Sequence, residues 1–361
     1  MSCGIAKSQV AALSLFLLFG WNVHLEAQSV TSNDPDLELS SIEVPDKISK
    51  GIRLAPWAHS VVAGEGTLWI HDNRRVYKLD PDRGSFSEIQ IEDWSAGKGM
   101  PGGASFTIGS GSIWAYLKSH GVEGVHRYDP STGKCLAVVS LKKGTIGPML
   151  VFGEGALWTF DNFHRTLQRI DPGSNQVTAT TDLLKGTWWP GPVVADGFVW
   201  LMDGDKGLMK RFDPQSAVLR DEFQAGAPEV GFFRQPFEGG FYRFTVQDGA
   251  IWIANDKHGS DGTFVLTRFD AKTLQRIAKI ESDSSGGQPV VWNGFVWFLT
   301  AGYAFNRISM QTNHGAGKLA IISQDNRRET GLLLRDDKSL WVVGSKTVIR
   351  IQAKKKDYDN K

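Results

Sequence analysis

Histidines and carboxylates sit close together at several points of this chain: "HDN" at 71–73, "DNFH" at 161–164 and "NDKHG" at 255–259. An imidazole beside a carboxylate can move a proton, or with further ligands hold a divalent cation. His59, His71, Asp72, Asp161 and His164 are therefore the candidate catalytic residues. Trp57, Trp188, Trp189, Arg234, Asp256, His258 and Tyr303 are candidate ligand contacts, since rings stack on planar or sugar groups and a guanidinium grips anions. His120, Asp203, Asp205, Phe232 and Phe233 fall in the same kind of segment. The competing reading of each histidine is a solvated or structurally bonded loop residue. No local metal-binding motif such as H-E-x-x-H occurs, so no metal is assigned from spacing.

What positions these residues is a repeat. "GEGTLW" at 64–69, "GSGSIW" at 109–114 and "GEGALW" at 153–158 are one phrase in three copies, and looser forms follow. Trp69, Trp114, Trp158, Trp200, Trp252, Trp297 and Trp341 recur at spacings of 45, 44, 42, 52, 45 and 44 residues. Each lies in a β-rich run preceded by a tight turn and a second β-rich run. Asp-Gly or Asn-Gly in three copies supplies the positive φ of a two-residue hairpin. A second punctuation follows in "YKLDPDRG", "HRYDPSTG", "QRIDPGSN", "KRFDPQSA" and "TRFDAKTL". Asp-Pro opens a turn, because Asp accepts local backbone bonds and Pro presets φ.

Four antiparallel strands in about 45 residues, repeated seven times, predict an all-β fold: a seven-bladed β-propeller. One tryptophan per sheet is expected to fill the seam between adjacent blades. The last copy offers only three strands before the charged run "KKKDYDNK", so its fourth must come from "LELSSIEVPDKI" near the N-terminus. The propeller is placed at 38–353, preceded by a signal peptide over 1–27 and a flexible linker over 28–37, and followed by a charged tail over 354–361.

The N-terminal reading rests on Lys7, the apolar stretch Val10–Phe19 and small Ala27 at a cleavage point. It implies a secreted or periplasmic protein with no membrane span after cleavage. Cys3 leaves with the signal, so Cys135 remains without an intramolecular partner. With 40 basic against 39 acidic side chains, nothing in the charge favours nucleic acid. The protein is expected to be a monomer.

In a meander, turns after the first and third strands of a blade lie on one side of the ring. Loops after the second and fourth lie on the other. The first set is uniform; the second is irregular, running from "YLKSHGVEGV" and "FDNFHRTL" to "GTIGPML" and "KGTWWPGP". Five of the seven histidines beyond residue 27 fall in it. Loops on a rigid scaffold carry binding, so the working side is assigned to the irregular loops around the channel. The longest spacing adds the aromatic and Gly-rich stretch 226–242, a lid or a structural plug.

The repeat grammar resembles the seven-bladed propellers of the YVTN and NHL type, and most closely the streptogramin (virginiamycin B) lyase-like branch, whose repeats carry the same G-x-G-x-[LIV]-W pattern. That resemblance covers nearly the whole chain beyond the signal. It implies Mg²⁺-assisted elimination that opens a cyclic depsipeptide ester, with a histidine as general base. The family's "P-H-[GA]-I" loop corresponds here to "PWAHSV", "GPMLV", "GPVVA" and "QPVVW", so only His59 lies near its histidine. After the tryptophans stand "WIHD", "WTFD", "WLMD" and "WIAND", with aspartates and no glutamate where the family has one. There is no G-x-S-x-G elbow and no phosphate loop. The sequence therefore reads first as an exported propeller that binds a protein, peptide, glycan or small molecule on its irregular face. A streptogramin lyase-like or lactonase-like enzyme with a metal-assisted site on that face is the alternative.

Overall fold

The computed structural model describes residues 34, 36–50, 52, 61–71, 75–91, 105–119, 122–183, 191–204, 206–226, 242–256, 264–282, 288–299, 304–320, 332–336, 338–344 and 346–354. Residues 1–27, read above as a signal peptide, most of the 226–242 stretch and the tail from 355 lie outside them.

An N-terminal strand β1 (Leu37–Glu43) and one helical turn α1 (Asp46–Ser49) precede the repeats. Blade one is β2 (Val61–Gly64), β3 (Thr67–His71), β4 (Arg75–Asp80) and β5 (Ser85–Gln90). Blade two is β6 (Phe106–Gly109), β7 (Ser112–Ser119), β8 (Val122–Tyr128) and β9 (Cys135–Val139). Blade three is β10 (Met149–Gly153), β11 (Ala156–Asp161), β12 (Thr166–Asp171) and β13 (Gln176–Asp182). Blade four is β14 (Val193–Ala195), β15 (Phe198–Asp203), β16 (Leu208–Phe212) and β17 (Leu219–Gln224). Blade five is β18 (Tyr242–Gln247), β19 (Ala250–Asp256), β20 (Phe264–Asp270) and β21 (Arg276–Ser282). Blade six is β22 (Val290–Trp292), β23 (Phe295–Leu299), β24 (Ala304–Ser309) and β25 (Gly315–Ala320). Blade seven is β26 (Leu332–Arg335), β27 (Ser339–Val343) and β28 (Thr347–Ala353), with β1 as its outer strand.

Each sheet is a four-stranded antiparallel meander, and the first strand of every blade touches the first strand of the next, β26 meeting β2. The chain is thus a closed ring of seven blades around a lining of first strands. Closure is by β1, which pairs antiparallel with β28 from Leu37 opposite Ala353 to Glu43 opposite Thr347. The strand starts at Leu37, where the quoted N-terminal stretch begins, and nearby Asp34 pairs with Arg307 of blade six. The expected strand also stops early, since Asp46–Ser49 turns into α1 and places Ile48 in the core.

The tryptophans fill the seams. All seven are at most 1% exposed, and each packs against the following blade: Trp69 on Phe106 and Ile108, Trp200 on Phe244 and Val246, Trp341 on Leu68 and Ile70. Indole N–H groups of Trp69, Trp114, Trp200 and Trp297 donate to the carbonyl at the end of the preceding strand, at 3.0–3.1 Å. In these four blades the buried indole keeps its hydrogen bond while its ring covers the next sheet.

Opposite every tryptophan on the third strand stands a cation: Lys78, Arg127, Arg169, Arg211, Arg268, Arg307 or Arg350. In six blades it lies over the indole, 4.9–5.8 Å from the ring centre. The arginines also reach into the next blade. Arg127 donates to Pro172 O at 2.6 Å, Arg169 to Pro214 O at 2.9 Å and Arg211 to Ala271 O at 2.8 Å. Arg350 closes the circle at Asp82 of blade one, 3.3 Å away. One side chain thus clamps a seam tryptophan and holds the neighbour's second turn.

The first turns are also linked. Both turn residues take positive φ in six blades, including Glu65, Ser110 and Glu154, which carry this strain without being Gly or Asn. Glu65 accepts from Gly111 N at 2.8 Å, Glu154 from Gly197 N at 2.9 Å and Asp196 from Gly249 N at 2.9 Å. These bonds to the next blade offset the local cost.

The Asp turns supply an acid-sensitive term. Asp129 accepts from the Ser131 hydroxyl at 2.6 Å and from the Ser131 and Thr132 amides, which pulls its carboxyl down to about 2. Its folded value lies below the unfolded one, so this stabilisation is complete above about pH 4 and is lost as pH falls toward 2. Melting temperature is expected to drop across that window, and Asp129→Asn, whose amide oxygen accepts at any pH, to flatten part of the drop. Parallel profiles for the two proteins would remove Asp129 as a contributor.

Candidate functional site

On the side opposite these linked turns, the loops after the second strands differ from blade to blade. In blade three the loop leaves β11 at Asp161, a residue 1% exposed whose carboxylate accepts four hydrogen bonds. Oδ1 takes the amides of Phe163 at 2.8 Å and His164 at 3.1 Å. Oδ2 takes the amide of Ile146 at 2.9 Å and lies 2.8 Å from His164 Nδ1. A carboxylate can only accept, so the proton of this contact sits on Nδ1; in the neutral tautomer with that proton, Nε2 is the acceptor. Half of the His164 side chain faces solvent.

The neighbouring loop, between β9 and β10, is held from both sides. Thr145 O lies 3.1 Å from the Tyr116 hydroxyl, which is also 2.5 Å from Glu123 Oε1. Burial first, and then the Glu123 bond, push the Tyr116 phenol well above its usual range, so it stays a protonated donor. Next to this anchor, Ile146 is 41% exposed, and across Asp161 Phe163 is 71% exposed. Both residues were present in the quoted loops "GTIGPML" and "FDNFHRTL"; only their exposure marks them out.

Asp161 and His164, both candidates from the sequence, meet within one loop. His71 is elsewhere: it ends β3, is 2% exposed and stands edge-on to Phe106 of blade two at 4.9 Å. Alternation decides this, because His71 is two residues past Trp69 and shares its seam-facing side. By the same count from the tryptophan, Asp203 of blade four matches Asp161; it is 1% exposed with Lys206 at 3.8 Å. Asp256 ends β19. Its side chain lies outside the described residues, as do Trp57, His59, Asp72, His120, Trp188, Trp189, Asp205, Arg234, His258 and Tyr303.

Among the described residues no group of three or more His, Cys, Asp or Glu side chains gathers as a metal site. Asp161 does not fit Mg²⁺ either. All four of its acceptor directions are taken by N–H donors, whereas Mg²⁺ needs free oxygen ligands in an octahedron. Two shallow cavities lie on the turn side. One of ≈ 320 Å³ runs between the first turns of blades five to seven, beside Asp248, Asn293 and Arg335. Another of ≈ 480 Å³ lies over the Asp80–Pro81 turn. Neither holds an imidazole. Among the described residues no helix is long and apolar enough to cross a membrane.

No protein-family model matches the chain, and no curated protein matches it. Solved structures do. Virginiamycin B lyase from Staphylococcus aureus is similar at 15% identity with a TM-score of 0.60, over 88% of this chain and 99% of that one. A streptogramin B lyase structure gives 15% identity and 0.60 over 88% and 98%. A structure of the mitotic checkpoint complex gives 13% identity and 0.59 over 97% and 100%. At such identities the shared property is the fold, and the chain is a seven-bladed β-propeller with the architecture of the streptogramin B lyases.

Proposed function

We propose that the chain is an exported binding propeller that takes its ligand on the irregular loop side around the channel. The observation that carries this reading is the contrast between the two sides. On one, turns of adjacent blades are tied by Glu65, Glu154, Asp196 and the arginine clamps, which leaves uniform loops already engaged. On the other, the loops vary and blade three presents an oriented imidazole beside exposed apolar side chains. Export is supported by the Lys7, Val10–Phe19 and Ala27 pattern. The ligand is a protein, peptide, glycan or small molecule, and the protein works as a monomer.

The fold likeness to streptogramin lyases, together with the Asp161–His164 pair, favours a second reading as a lyase-like enzyme. One experiment separates the two. The protein is incubated with a streptogramin B-type cyclic depsipeptide and Mg²⁺ and the products are followed by chromatography and fragmentation. Elimination preserves mass, so ring opening appears as a retention shift with altered fragments. Under the binding reading the depsipeptide stays intact, and on a peptide and glycan array Trp189→Ala or Arg234→Ala weakens capture while the melting temperature holds. Ring opening would replace this reading with the enzymatic one; array capture unchanged in both variants would remove those residues from the site.

A further inference from the structure

We infer that the Phe163–His164–Ile146 lip of blade three binds an apolar peptide segment, His164 Nε2 accepting a backbone amide hydrogen and Phe163 and Ile146 covering the adjoining side chain. This deepens, and rests on, the reading of the irregular side as the ligand side. Three observations meet here. Asp161 holds the Nδ1 proton, so Nε2 is presented as an acceptor, and among the described residues no protein group bonds to it. Phe163 and Ile146 are exposed although large and apolar; the others so exposed among the described residues, Leu136, Val138, Val218, Leu219 and Ile277, lie on outer strands or beside the Asp turns. Both are also fixed through their amides to the same buried carboxylate, and the Ile146 loop is pinned again by Tyr116.

The lip thus joins a held imidazole to two exposed apolar residues whose backbones are tied to one carboxylate, and holding them in place costs the complex little ordering entropy. In the tautomer with the proton on Nδ1, Nε2 takes a neutral N–H donor such as a backbone amide. An aliphatic wall beside an aromatic one suits a Leu- or Phe-like side chain better than a sugar, which prefers a flat ring and several polar partners. Asp161 acts as a positioning residue: it sets which imidazole nitrogen carries the proton.

The test is nuclear magnetic resonance of the full chain, labelled on imidazole nitrogens, backbone amides and isoleucine methyls. The probe is N-acetyl-leucine-N-methylamide; N-acetyl-glycine-N-methylamide and methyl glucoside are the controls. The leucine probe is expected to move the His164 Nε2 and Ile146 methyl signals, and the controls to leave them in place. Phe163→Ala and His164→Leu are each expected to raise its Kd about tenfold at unchanged melting temperature. Asp161→Asn is expected to shift the imidazole proton toward Nε2 and abolish the response, a change of tautomer that loss of packing alone would not produce. Leucine-probe shifts elsewhere on the irregular side but not at His164 overturn the lip and leave the loop-side reading standing. Shifts confined to the turn side overturn both. A glucoside response at His164, or no response to the leucine probe, overturns the peptide assignment.

Discussion

Deleting residues 38–48 is expected to abolish cooperative folding of the ring. The deletion removes nearly all of β1, the outer strand of blade seven, and with it a ladder paired to β28. It also removes Ile42, Val44 and Ile48, which are 5%, 2% and 0% exposed and belong to the cluster joining blades seven and one around Trp341. Burial of such side chains contributes roughly 1.5–3 kcal/mol each, so three approach the 5–15 kcal/mol that holds a whole domain together. The effect extends beyond one blade. β1 is covalently distant from β28 yet hydrogen-bonded along it, so the ring cannot open between its ends without breaking that ladder. No disulfide substitutes for it, since the described cysteine, Cys135, is free. Circular dichroism and thermal melting of the deletion variant check this; a melting temperature equal to the parent's would show that blade seven closes without β1.

Trp114→Ala is expected to cost about 3–5 kcal/mol, the range for removing a fully buried aromatic ring. The side chain is 0% exposed and fills the seam between blades two and three, among Leu150, Leu157 and Ile170. Its loss also leaves Gly109 O without the indole donor at 3.0 Å and Arg127 without the ring 5.0 Å beneath it. Because Arg127 holds Pro172 O and Asn175 of blade three, the clamp between the blades is weakened as well. Trp114→Phe keeps most of the apolar contact and loses the hydrogen bond, so a smaller loss, near 1 kcal/mol for the bond itself, is expected. Urea unfolding of the three proteins measures the order; a Trp114→Ala midpoint matching that of the parent would deny the seam its place in stability.

Much of this fold was legible because a repeated sheet imposes its period on the chain. The tryptophan spacing, the Gly turns and the Asp-Pro turns each mark a fixed point of a four-stranded unit, and the shortage of a strand in the last copy pointed to the N-terminus. The clamp was less legible, although "YKLDP", "HRYDP", "QRIDP" and "KRFDP" spell it out. A cation two residues before Asp reads as a solvated face until the register sets it opposite a tryptophan. The hairpin turns went further than their sequence suggested. Glu65, Ser110 and Glu154 adopt the backbone of Asn or Gly, and for Glu65 and Glu154 the hydrogen bond that offsets this comes from another blade.

At the candidate site the division is similar. The sequence offered Asp161 and His164 only as neighbours in one loop; they meet because a carboxylate at the head of a short loop turns back onto the loop's own groups. Spacing could not separate that pair from His71 and its neighbour Asp72. His71 faces a seam because a strand alternates sides, and Asp161 caps a loop because its strand ends there. The sequence by itself determined what is local and periodic: the unit, the number of units, the strand that closes the ring and the side on which loops vary. Only the tertiary structure decided what depends on separate blades and loops arriving at one point, namely the arginine clamps, the saturation of Asp161 and the exposure of Phe163 and Ile146. Those contacts join residues far apart in the chain, and no local pattern encodes the distance between them.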